Sequence, residues 1–167
     1  MSTVIIVGNP KPNSRTLHAA QLLATAITGS TSHEIIDVVD LGGDLLGWEE
    51  PSVQAAVQVA ANAQLLIVAS PTFKATYSGL LKLFLDQFAT GDGLRGTVAV
   101  PLMLGAGPAH AMAPDLLLKP LLVELGASCP AAGIYLSDKH YEDGVQIGKY
   151  IDMWGSILKH ALTGRAR

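Results

Sequence analysis

The sequence is poor in the residues that would mark a disulfide, metal or nucleic-acid protein. Cysteine occurs once, at Cys129, which excludes an internal disulfide and any site built from several thiolates. A lone cysteine of this kind reads as a small buried apolar residue. The five histidines, His18, His33, His110, His140 and His160, are scattered without the spacing of metal ligands. Charge is scarce: 15% of the 167 residues are Asp, Glu, Lys or Arg, with a net charge of −3. No basic run is present, which argues against nucleic acid as a partner. No apolar run approaches the ~18 residues of a membrane span. The amino terminus enters an apparent strand at once, without the basic and then apolar pattern of a secretory leader. A cytoplasmic protein is expected.

What is plentiful is apolar surface, at 49% of residues. A chain of this length should bury ~70% of the surface its unfolded form exposes. That suits one core and a single domain spanning 1–167, and the apolar excess suggests a buried subunit interface.

Short apolar runs alternate with longer helical patterns. Thr3–Val7, Glu34–Val39, Gln64–Ala69, Thr97–Leu104 and Ser128–Tyr135 read as strands. The uninterrupted Leu65-Leu66-Ile67-Val68 fits a strand covered on both faces. Helices are expected from Ser14 to about Thr28, capped by Asn13 or Ser14 and ended by Gly29, and over Pro51–Ala63, Ser78–Phe88, Ala109–Leu125 and about Asp143–Leu162. Pro114 and Pro120 should bend or interrupt the fourth of these, and its nearly all-round apolar character implies that both its faces are covered. Gly42, Gly43 and Gly47 mark a flexible loop within Asp40–Glu50. Strand and helix in alternation imply an α/β fold of right-handed βαβ units. The expected architecture is a flavodoxin-like, doubly wound, five-stranded parallel sheet of order 2-1-3-4-5 with helices on both faces.

In such sheets ligands bind beyond the carboxyl ends of the strands, at the switch in strand order. Three loops fall there. Gly8–Thr16 ends at a helix start, where free N–H groups and the helix dipole favour an anion. Asn9, Ser14 and Thr16 offer polar groups, and Lys11 and Arg15 offer charge. It lacks the Gly-Lys-Ser/Thr ending of a Walker loop, and an ordinary proline-rich connection with a capping serine would read the same way. Ser70–Gly79 offers flat faces at Pro71, Phe73 and Tyr77 and amides over Thr72–Lys74, as a ring system needs. Its aromatics could equally pack on the sheet. Gly105-Ala106-Gly107-Pro108-Ala109-His110 is a truncated dinucleotide fingerprint whose glycines let a backbone approach a flat ligand. His110 taken alone reads as structural or capping, and Lys74 as a solvated lysine. No G-x-S-x-G is present, so a serine hydrolase is not supported.

Taken together and in order, Val7–Thr16, Pro71–Lys82, and Leu94–Thr97 through Ala109-His110 to Leu118-Lys119-Pro120 resemble the NAD(P)H-dependent FMN reductases. They are closest to those that supply reduced FMN to alkanesulfonate monooxygenases, and the resemblance covers most of residues 3–136. It implies an oxidoreductase passing hydride from NADPH or NADH to flavin N5. The FMN phosphate would rest on Asn9, Lys11, Ser14, Arg15 and Thr16. The ring would lie among Pro71, Thr72, Phe73, Lys74 and Tyr77 on one side and Gly105, Ala106, Gly107 and His110 on the other. No acid, base or metal is implied; Lys74 is a candidate charge stabiliser. A flavin-dependent monooxygenase is an implied partner. An FMN-dependent quinone or azo reductase, or a flavodoxin-type electron carrier, would share the site. Some sulfonate-system reductases carry an inserted tyrosine tied to a π-bulge and a tetramer. Leu116 stands at that position here, a departure that leaves the carry-over of that tetramer and its transfer mechanism open and flavin binding untouched. The apolar Leu116–Leu125 stretch still implies self-association, as a homodimer or homotetramer.

Overall fold

A computed structural model describes residues 1–164. Five parallel strands, β1 (Thr3–Val7), β2 (Glu34–Asp37), β3 (Leu65–Pro71), β4 (Val98–Gly105) and β5 (Ile134–Ser137), form one sheet in the order β2-β1-β3-β4-β5. This is the expected flavodoxin-like arrangement. Between them run α1 (Arg15–Thr28), α2 (Pro51–Ala61), α3 (Gly79–Leu85) and α4 (Lys119–Glu124), and α5 (Val145–Thr163) closes the described chain.

Strand side chains alternate between two layers. Val4, Ile6, Leu66 and Val68 join the core under α2, α3 and α4, while Ile5, Val7, Leu65, Ile67 and Ala69 join the core under α1 and α5. Every position of β1, β3 and β4 is buried, which is why these strands are continuous apolar runs and not alternating ones. α1 begins and ends where the sequence places it. Ser14 accepts from the Leu17 N–H at 3.2 Å, and Gly29, at φ 73°, donates its N–H to Thr25 O.

Four expectations are corrected. The fifth strand does not run over Ser128–Tyr135 but over Ile134–Ser137. Ala99 of β4 donates to Ser128 O, making an isolated bridge. Two residues on, the same side of β4 carries Pro101, which has no N–H to give. Regular pairing resumes only at Leu102, opposite Ile134. The segment around Asp40 is not an irregular loop: Val38–Leu46 winds as 3-10 turns broken at Gly42 (φ 54°) and is anchored by buried Val38 and Leu45. Helix Ala109–Leu125 is three pieces: a 3-10 turn at Pro108–His110, a π-helical turn at Pro114–Leu118, and α4. In the π turn Lys119 donates its N–H to Pro114 O. The ring of Pro120 cannot accept a regular helical turn before it, so the π geometry forms with Leu116 in place and needs no tyrosine. Nor are both faces of this stretch covered: Met112, Leu116, Leu117 and Val123 are exposed. Among the described residues no helix is long and apolar enough to cross a membrane.

Candidate functional site

The carboxyl ends of β1, β3, β4 and β5 open onto one crevice with two joined compartments. The first has a volume of ≈ 420 Å³ and lies between the β1–α1 loop, the end of β3 and the end of β4. The second, ≈ 640 Å³, lies between the β3–α3 loop and the turn after β4. Thr72 and Ala106 line both. Both volumes fall in the ~300–1,000 Å³ range of small-ligand sites.

The β1–α1 loop is held by short-range geometry. Gly8 donates to Ala69 O at 2.9 Å and accepts from Ser78 Oγ. A Cβ at Gly8 would collide with Leu81, so glycine is what lets α3 pack against the end of β1. Asn9 Oδ1 accepts from the Lys11 N–H at 3.0 Å, and Asn9 Nδ2 donates to Thr16 Oγ1 at 2.9 Å. Asn13 is left-handed (φ 52°). It lies beside the Asp37 carboxyl, whose pKa is raised by burial and then by Asp40, and lowered by the N–H groups of Asn13 and Val39. The result presents the amino terminus of the 14-residue α1 to the first compartment, with buried Ser14 and Thr16 inside and exposed Lys11 and Arg15 on the rim. Arg15 is oriented by Asp138, through its carbonyl at 3.1 Å and its carboxylate at 3.4 Å. Such a helix start with two cations has the electrostatics that favour an anion.

The β3–α3 loop is a two-residue hairpin. Phe73 and Thr76 exchange N–H···O bonds of 2.8 and 3.1 Å, with Lys74 at φ 51° and Ala75 at φ 72°. Two successive left-handed residues are what such a turn demands, and it is normally filled by Asn-Gly. Two side-chain-bearing residues here therefore store backbone strain at the crevice wall. The Lys74 and Ala75 amides have no backbone partner among the described residues. Thr72 N–H is spent on Leu104 O, while Thr72 Oγ1 is buried with no partner.

Of the sequence-predicted residues, Asn9, Lys11, Ser14, Arg15, Thr16, Pro71, Phe73 and Gly105 line the first compartment. Lys74, Gly107 and His110 line the second, and Thr72 and Ala106 line both. Tyr77 lines neither. It follows the hairpin and packs half-buried against the core under α3, so its ring is spent on the sheet side.

Two contributors escaped the sequence reading. Asp138 lines the first compartment. Tyr135 lines the second, and its hydroxyl donates to Gly107 O at 2.8 Å. A Cβ at Gly105 would strike the Tyr135 phenol, so Gly105 is where the tyrosine passes under the turn. The available signal was positional: Tyr135 lies within β5 and Asp138 directly follows its last residue, Ser137, so both sit on the strand that borders this end of the crevice.

This arrangement fits a mononucleotide with a flat head. One end has the helix-start N–H groups and charges that suit a phosphate; the other offers free amides, an unpaired hydroxyl and a glycine turn with room for the close approach of a ring. Among the described residues no cluster of three His, Cys, Asp or Glu side chains could hold a metal ion.

Comparison with known proteins agrees. Residues 1–142 match the family described as NADPH-dependent FMN reductase. The chain is 36% identical over 96 residues to "FMN reductase (NADPH)" of Escherichia coli (strain K12), covering 58% of this chain and 50% of that protein. It is 30% identical over 153 residues to "NADH-dependent FMN reductase SfnF" of Pseudomonas fluorescens (strain Pf0-1), covering 86% and 80%. The alignment thus spans half the length of the first relative and most of the second. Among solved structures, the apo form of "NADH:FMN oxidoreductase (EMOB)" superposes with a TM-score of 0.82 at 30% identity, over 99% of this chain and 90% of that one.

Proposed function

Since the chain belongs to the NADPH-dependent FMN reductase family, we propose that it is a single-domain oxidoreductase that passes hydride from NADPH or NADH to FMN held in this crevice. Bound FMN would supply the hydride-accepting ring nitrogen, N5. The chain's own residues bind, orient and polarise. The α1 amino terminus, Ser14, Thr16, Lys11 and Arg15 take the phosphate, and Asn9 keeps Thr16 turned so that its hydroxyl hydrogen remains to donate. Pro71, Thr72, Phe73 and Lys74 wall one side of the ring, and Gly105, Ala106, Gly107 and His110 the other. Lys74 carries a positive charge at the rim where negative charge gathers during reduction. No acid or base is required of the protein. The observation that carries this reading is the joining of a helix-start anion site to a compartment walled by unbonded amides and the orphan Thr72 Oγ1.

The same reading extends to the surroundings. The exposed Met112, Leu116 and Leu117 border a hollow that opens at Ala75 and His110, so a homodimer or homotetramer would be covered beside the flavin. Delivery of reduced flavin to a monooxygenase, in the cytoplasm, belongs to this same reading, and a relative named as an NADH-dependent FMN reductase supports its flavin-reducing half. The test is fluorescence titration of apo-protein with FMN, followed by anaerobic addition of NADPH or NADH. Saturable quenching and bleaching of the flavin band are expected. Absence of both would end the assignment.

A further inference from the structure

Beyond the second compartment the crevice continues. A recess of ≈ 310 Å³ lies between the turn Gly105–Ala111 and the connection from β5 to α5. It shares Ala106, Gly107, Pro108 and Tyr135 with the second compartment, so the two are open to each other around the glycine turn. Its far wall is polar: Ser137, Lys139, His140 and Gln146.

We propose that this recess receives the phosphorylated adenosine limb of the reduced pyridine nucleotide, with Lys139 and His140 as its anion contacts. The proposal rests on the FMN-reductase reading above. A nicotinamide and a flavin that exchange hydride must stack, and each brings its own phosphates. The anion site at the start of α1 serves the flavin, so the second set of phosphates needs cations elsewhere along the same crevice. Lys139 and His140 are exposed and make no ion pair among the described residues. The neighbouring acids are engaged elsewhere. Asp138 holds Arg15 at 3.4 Å. Glu142 takes the Tyr141 hydroxyl at 2.9 Å and faces His18 at 3.6 Å. Asp143 accepts from the Val145 N–H at 2.9 Å. Gln146 Oε1 accepts from the Ser137 N–H at 3.0 Å, which fixes its amide beside the recess and leaves Nε2 as a donor. An unpaired lysine, an exposed imidazole able to donate a hydrogen bond, and an oriented amide around a cleft joined to the ring compartment form a second phosphate station.

The experiment compares two hydride donors, NAD(P)H and reduced nicotinamide mononucleotide, which lacks the adenosine limb. For the wild type, KM should be lower with NAD(P)H. In Lys139→Ala that advantage should shrink about two- to fivefold, the scale of one solvent-screened cation–phosphate contact, and more in Lys139→Glu. Lys149→Ala, on the exposed side of α5, should leave the ratio alone, and the FMN Kd should not move in any of them. Calorimetric titration of ADP-ribose, with and without the extra ribose phosphate, into FMN-loaded protein supplies a readout independent of turnover. Loss of binding of both in Lys139→Glu places the contact on the diphosphate; selective loss of the phosphorylated form places it on the ribose phosphate. Equal KM for the two donors in a wild type that does reduce FMN, or ADP-ribose binding untouched by Lys139→Glu, would overturn the subsite alone. A wild type that reduces FMN with neither donor overturns the function and the subsite together.

Discussion

Replacing Gly105 by alanine tests whether the glycine turn and Tyr135 form one device. The added methyl would run into the Tyr135 phenol oxygen, lie 2.8 Å from its Cζ, and come within 3.1 Å of Thr72 Oγ1. The ring is not free to swing aside, because its hydroxyl is bonded to Gly107 O at 2.8 Å and its strand is paired with β4 along Met103 and Leu104. Overpacking of this kind costs about 1–3 kcal/mol, and breaking the phenol–carbonyl bond about 1 kcal/mol more. A loss of about 2–4 kcal/mol should lower the melting temperature by about 5–15 °C in a domain of this size. The same displacement moves the Ala106–Gly107 wall of the ring compartment, so FMN affinity should fall at least about tenfold. Tyr135→Phe alone removes only the hydrogen bond, for about 1 kcal/mol. In the double variant the nearest colliding atom is gone. Its cost should therefore be less than the sum of the single costs, with a coupling of about 1 kcal/mol. Thermal melts and FMN titrations of the four proteins decide it. A Gly105→Ala protein with wild-type melting and wild-type FMN affinity, or strict additivity in the double variant, would refute the reasoning.

Other substitutions and conditions read other parts of the site. Ala75→Gly relieves a left-handed residue (φ 72°) and should stabilise the fold by about 0.5–1 kcal/mol, seen as a higher urea midpoint; an unchanged or lower midpoint would mean the turn is not strained. Asp37 has its pKa raised from 3.8 by burial and then by Asp40, so its contribution to stability is fully present below about pH 3.8 and is lost as pH rises through the higher folded value. Asp37→Asn should accordingly gain stability relative to wild type as pH climbs through that window, and a difference that is flat between pH 3 and pH 7 would contradict the assigned environment. The Cys129 thiol is pushed up to about 11, by burial first, with Lys119 opposing and Asp115 adding; alkylation at neutral pH should be slow in the folded protein and fast once unfolded in urea, and rapid native labelling would show the thiol to be exposed.

Much of the fold was legible because both sheet faces are covered. That burial makes β1 and β3 unbroken apolar runs, and runs of four to eight such residues between helical patterns have few other readings. The bounds of α1 were legible because Ser14 and Gly29 act locally, within one turn of the helix. The misreadings share a cause. At Ser128–Tyr135 the apolar pattern is real, but prolines on both sides end regular pairing there, Pro130 in the segment itself and Pro101 on β4. At Ala109–Leu125 the apolar pattern is again real, but Pro114 and Pro120 divide it into turns of different pitch. Local composition records neither the partner strand nor the pitch.

The site repeats this division at finer scale. Anion-binding loops announce themselves, since a helix start with hydroxyl and basic residues is a local feature, and Asn9–Thr16 line the crevice together with Thr72–Lys74 and Gly105–Gly107. Tyr77 lines neither compartment because an aromatic two positions before a helix can face either side, and the Phe73–Thr76 hairpin leaves it against the core. Asp138, Lys139 and His140 went unseen for a different reason: the fifth strand was begun six residues early and ended two residues early, at Tyr135, and the loop after it was not counted among those facing the crevice. The correction moves the carboxyl end of β5 by two residues, from Tyr135 to Ser137, and brings an acid that aims Arg15, together with exposed Lys139 and His140, onto the crevice. Tyr135 then acts on Gly107, 28 positions away in sequence, only because β4 and β5 are neighbours. What stays hidden in such a chain is therefore not which residues carry chemistry, but which side chains hold the backbone that carries it, and those are specified by strand adjacency.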